Sequence, residues 1–91
     1  METFITFNKS AFKHGECEDD IRSALSRGVL EAAIKDEPVQ ILIVGFDTKG
    51  NLLEVMYNVT DGNIVDVFHA MKCRKKYIDI IERNKEYAAI D

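Results

Sequence analysis

The stretch Gln40–Ala70, QILIVGFDTKGNLLEVMYNVTDGNIVDVFHA, decides the architecture. Gln40–Phe46 is apolar and β-branched, the pattern of a buried strand. Asp47-Thr48-Lys49-Gly50-Asn51 concentrates turn formers, and Leu52–Val59 resumes extended structure. Asp61-Gly62 signals a two-residue hairpin, because a type I′ turn needs positive φ at both central positions. Asn63–Ala70 then returns as the third strand.

Helical signals flank this meander. Towards the C-terminus, Arg74 to about Ala88 predicts a closing helix with Tyr77, Ile78, Ile81 and Ala88 on its apolar side. Towards the N-terminus, Thr3–Phe7 alternates as a short edge strand, and Asn8 or Ser10 caps a brief helix through about Lys13, stopped by Gly15. Glu18, Asp19 and Asp20 suit the positive end of a second helix, whose stripe is Ile21, Ala24 and Leu25 and whose end is Gly28. Leu30–Lys35 reads as a further strand, broken at Glu37-Pro38. The expectation is an α+β fold: two N-terminal helices, an antiparallel three- to four-stranded meander and a C-terminal helix, all in one domain spanning residues 1–91.

The composition, 46% hydrophobic and 31% charged, is globular. The longest apolar run, Ile41–Phe46, is too short to span a bilayer, and METFITFNKS lacks the basic start of a secretion signal. Cys17 and Cys73 have neither metal nor redox spacing and read as reduced thiols of a cytoplasmic protein. Nothing calls for a cofactor or a metal. The net charge of −4 argues against a nucleic-acid coat. Yet Lys72–Lys76 holds four of the twelve basic side chains and no acid, leaving eight basic against sixteen acidic elsewhere. Cations at a helix start oppose the helix dipole by about 0.3–1 kcal/mol each, so this cluster reads as a display for an anion such as a phosphate.

Counting back from a two-residue loop sets Thr60 against Asn63 and Glu54 against His69. Opposed Cβ atoms lie about 5 Å apart, so Glu54 and His69 are expected to touch on the face away from the core, beside the basic cluster. A carboxylate orients an imidazole for proton transfer, and Arg74 and Lys72 supply charge for a phosphate. Tyr57, Tyr77 and Met56 offer surfaces on which a base can stack. These parts suit metal-independent RNA cleavage, in which the ribose 2′-hydroxyl attacks the adjacent phosphate and His69 or Glu54 takes its proton.

Plainer alternatives stand beside each element. The Glu54–His69 pair can be a surface contact, and the cluster a solvated helix end. Tyr77 can pack through its ring, and His14 can be a cation capping a helix C-terminus. The acidic run Glu16–Asp20 reads as a helix start, and Cys73 has basic neighbours that would lower its pKa.

The order FKHG, ECEDDI, IVGFDTKGNLLEVMY and VFHAMKCRKKY resembles the BrnT-type toxins of bacterial toxin–antitoxin pairs, over roughly Phe7 to Ile81. It is most similar to relatives that carry a His-Ala-Met segment after the last strand. The resemblance implies a RelE-like fold, an endoribonuclease that arrests translation by cutting mRNA, and a cognate antitoxin as partner. By position, Lys13 and His14 match the family's KHG, and Lys72 and Arg74 fall in its arginine-rich stretch. His69, Ala70 and Met71 stand where such chains often carry arginines.

The expected function is therefore a type II toxin with endoribonuclease activity. Its catalytic set is His69, Glu54, Arg74 and Lys72; Lys13, His14, Lys75, Lys76 and Tyr57 hold the RNA. The alternative is a non-catalytic module that binds RNA, or that docks a partner protein on a sheet face carrying Met56, Val65 and Val67. No membrane association is expected, and homodimerisation is left open.

Overall fold

The computed structural model describes residues 3–60 and 62–90. The elements run β1 (Phe4–Phe7), a 3-10 turn (Lys9–Phe12), α1 (Glu18–Ser26), β2 (Gly28–Asp36), β3 (Val39–Phe46), β4 (Leu52–Thr60), β5 (Ile64–Lys72) and α2 (Lys75–Ile90). The strands form a five-stranded sheet in the order β1-β5-β4-β3-β2. β2 to β5 are an antiparallel meander, and β1 joins the far edge parallel to β5, with Phe4 opposite Ile64 and Phe7 opposite Val67.

This corrects the expected RelE-like layout of two N-terminal helices followed by a three- to four-stranded meander. Among the described residues there are two α-helices, α1 and the C-terminal α2, and the sheet is mixed with five strands. The first expected helix is a single 3-10 turn. Asn8 accepts from the Ser10 N–H and so caps it, but Gly15 at φ 88° turns the chain away before a second turn can form. One turn fixes several dihedrals for little hydrogen bonding, so it does not propagate by itself. β1 escaped a local reading as a parallel strand because its partner lies some sixty residues away and leaves no nearby turn signal.

The core lies between α1, the 3-10 turn and one face of the sheet. Ala11, Ile21 and Ala24 meet Ile43, Leu53, Val55, Val67 and Ala70. Gly45 lets α1 lie directly on β3: a Cβ there would collide with the backbone of Ala24. Val67 is buried and Val65 packs on the core, so neither belongs to the apolar docking face expected with Met56. At the other edge, Val29 and Ile34 of β2 are exposed, and so is Val39 at the start of β3, beyond a cis Glu37–Pro38 peptide. Asp61, expected in the hairpin turn, and the side chain of Ala88 lie outside the described residues. Among those described, no helix is long and apolar enough to cross a membrane.

Candidate functional site

The site grows from an irregularity in the β4–β5 ladder. The hairpin closes on Thr60 opposite Ile64, not on Asn63 as expected, with Gly62 at φ 74°. That moves the register by one residue. Tyr57 still opposes Val67, but Met56 opposes His69, so Phe68 is an extra residue in β5 and moves the register again. Each single slip turns side chains to the other face; two restore it. Glu54 therefore lies opposite Met71, while His69 sits one pleat away on the same face.

Polar groups of the N-terminal segment hold the bulge. The Asn8 N–H donates to the Val67 carbonyl at 2.8 Å, and the Ser10 hydroxyl donates to the Phe68 carbonyl at 2.6 Å. These bonds seat the 3-10 turn beside β5, and the residues that follow it bring His14 against His69. The two rings meet edge to face, with centroids 5.6 Å apart and planes at 74°.

Glu54 is the centre of the cluster and is fully buried, not outward as expected. Its carboxylate accepts four hydrogen bonds. Oε1 takes the Arg74 backbone N–H at 3.0 Å and Nε at 2.9 Å. Oε2 takes Arg74 Nη2 at 2.7 Å and lies 2.9 Å from His69 Nε2. Burial pushes this carboxyl upward, but the bonds from Arg74 and His69 outweigh it and hold the group below the ordinary glutamate range. A sealed, fully engaged carboxylate of this kind positions other groups and takes no proton from a substrate. It also keeps one proton on Nε2 of His69, leaving Nδ1 as the ring's acceptor. The His69 side chain remains 21% exposed.

Arg74 binds Glu54 through Nε and Nη2, which leaves Nη1 without a protein partner among the described residues. Its side chain is 44% exposed, and its guanidinium lies 5.6 Å from the centre of the Tyr77 ring. The hydrogen bond to Glu54 raises its already high pKa, so the group stays cationic.

The other expected residues scatter. Lys72 opposes the buried Leu53 and so leaves β5 on the α1 side of the sheet, away from Glu54. Tyr57 also belongs to that side; its hydroxyl lies 3.4 Å from Glu31, and burial and then the Glu31 charge raise its pKa. Lys75 pairs with Asp79 at 3.1 Å, and Lys76 lies over the Tyr77 ring at 5.0 Å. Both sit in the first turn of α2, while Lys13 is exposed next to His14. Cys73 runs against expectation: burial, and then the Glu54 charge, raise its pKa despite Arg74.

Sequence reasoning did not anticipate Ser10 and Asn8 as supports of the site, nor the contact between His14 and His69. The Asn-x-Ser spacing signals a local cap, but its reach to β5 is a long-range bond with no local signature. What assembles is thus His69, Glu54 and Arg74, joined by His14, on one face of the β4–β5 hairpin. The chain matches no protein-family model, and no curated protein matches it.

Proposed function

We propose that this protein is a toxin-type endoribonuclease that cleaves RNA without a metal ion, acts in the cytoplasm and is neutralised by a cognate antitoxin. The observation that carries the reading is the Glu54–His69 pair: a buried carboxylate 2.9 Å from Nε2 of a partly exposed imidazole, with the Arg74 guanidinium on the same carboxylate. In the proposed reaction, His69 Nδ1 takes the proton of a ribose 2′-hydroxyl. The 2′-oxygen attacks the adjacent phosphorus, and the free Nη1 of Arg74 binds the phosphoryl oxygens as charge builds on them. Lys13, with Lys75 and Lys76 at the start of α2, attracts the backbone, and Tyr77 offers a ring for base stacking.

The test is cleavage of a short RNA by the purified protein in the presence of a chelator. The expected product carries a 2′,3′-cyclic phosphate, and His69→Ala slows its formation by about 10²–10⁴-fold. Absence of cleavage by the wild type, together with normal growth of cells that express it without any antitoxin, would refute the reading.

One observation favours a second reading. Val29 and Ile34 on the edge strand β2, with Val39 at the start of β3, are 42–46% exposed, which suits a protein-docking module. Saturable protein binding at β2, with no cleavage, would support it over catalysis.

A further inference from the structure

We propose that His14 is a catalytic residue, the general acid that protonates the leaving 5′-oxygen; the assignment rests on the ribonuclease reading. Cleavage by a 2′-hydroxyl needs two proton transfers. One removes the proton from the attacking oxygen as the 2′-O–P bond forms. The other delivers a proton to the 5′-oxygen as the P–5′-O bond breaks, leaving a 2′,3′-cyclic phosphate and a 5′-hydroxyl.

Among the groups at the site, the second role falls to His14 by elimination and by geometry. Glu54 is buried and ionised, and all its acceptor capacity is used by Arg74 and His69. A guanidinium does not release its proton in proteins. Lys72 and Tyr57 leave the sheet on the opposite face. Lys13 is exposed, and no contact among the described residues places it against His69 as the ring contact places His14. His14 is exposed and touches His69 at 5.6 Å between ring centres.

The contact also places the two rings that the two proton transfers need side by side, His69 on the sheet and His14 on the segment after the 3-10 turn. The Glu54 carboxylate, itself held by Arg74, fixes the orientation of the His69 ring. The planes cross at 74°, so the rings meet edge to face and neither covers the other's face as a stacked pair would.

A leaving-group substitution tests this. Two dinucleotide substrates are compared, one natural and one with sulfur in place of the bridging 5′-oxygen. A thiolate leaves without protonation, so an enzyme lacking its general acid recovers on the sulfur substrate. His14→Ala is expected to lose about 10²–10⁴-fold on the natural substrate. On the sulfur substrate it is expected to fall within about tenfold of wild type, whereas His69→Ala stays slow on both. In the pH profile of kcat/KM, His14→Ala loses the fall on the alkaline side, where an acid would deprotonate. Equal slowing of His14→Ala on both substrates overturns the assignment in favour of a binding role, and so does unchanged cleavage of the natural substrate. If the wild type cleaves neither substrate, the ribonuclease reading itself fails. Because His14 is exposed, the variant is expected to keep the wild-type melting temperature, which separates loss of chemistry from loss of fold.

Discussion

Replacing Glu54 with glutamine tests the electrostatic centre of the molecule. The amide keeps one acceptor oxygen and turns an NH2 group towards donors, so two of the four bonds that Glu54 accepts are lost. Hydrogen bonds to a charged group contribute about 1.5–3 kcal/mol each. The variant also escapes the cost of burying a carboxylate, which is several kcal/mol. Arg74 and His69, with side chains 44% and 21% exposed, rehydrate in part. Removing one partner of a buried ion pair costs about 3–5 kcal/mol net of such terms, so for a domain of this size Tm drops by at least roughly 12 °C. The pH dependence gives a second reading of the same quantity. Because the Glu54 carboxyl is held below the ordinary glutamate range, its contribution is fully present above the unfolded value of about 4.3 and is lost as pH falls through the lower folded value. The Tm gap between wild type and Glu54→Gln is therefore widest near neutrality and closes in acid. Calorimetry from about pH 7 down to about pH 3 measures both. A variant melting within about 2 °C of wild type at neutral pH, or a gap that widens in acid, would refute the reasoning.

Ser10→Ala removes the hydroxyl bond to the bulge carbonyl of Phe68 and is expected to cost about 1 kcal/mol by denaturant titration, with Ser10→Thr restoring it. Gly45→Ala drives a methyl into the Ala24 backbone and is expected to destabilise by about 1–3 kcal/mol, read as a lower urea midpoint. Alkylation near neutral pH, followed by peptide mass mapping, is expected to label the exposed Cys17 ahead of Cys73, whose pKa is raised by burial and by Glu54. Lys72→Ala is expected to leave RNA cleavage unchanged, because the side chain departs on the opposite face of the sheet from His69.

Much of the strand plan was legible because apolar alternation and turn residues are local signals. Val39–Phe46, Leu52–Thr60 and Ile64–Lys72 lie within a residue or two of the expected strands, and α1 begins at the expected acidic run. The Glu54–His69 contact was also anticipated, though by a register that does not hold. Two one-residue shifts, one at the turn and one at Phe68, add up to a full pleat and return His69 to the Glu54 face. Lys72 passes through the same two shifts, and Tyr57 alternates with Val55 on β4, so both stay on the face opposite Glu54 and His69 and cannot join them at the site.

The order of residues by itself determined where strands and helices begin, which side chains carry charge, and that a carboxylate, an imidazole and a guanidinium stand near one hairpin. Only the tertiary structure decided that Glu54 is sealed, that the N-terminal strand lies parallel on the far edge, and that His14 meets His69. The reason is physical: periodicity and capping act within a few residues, whereas burial, bulge position and the Ser10–Phe68 bond depend on segments brought together from distant parts of the chain.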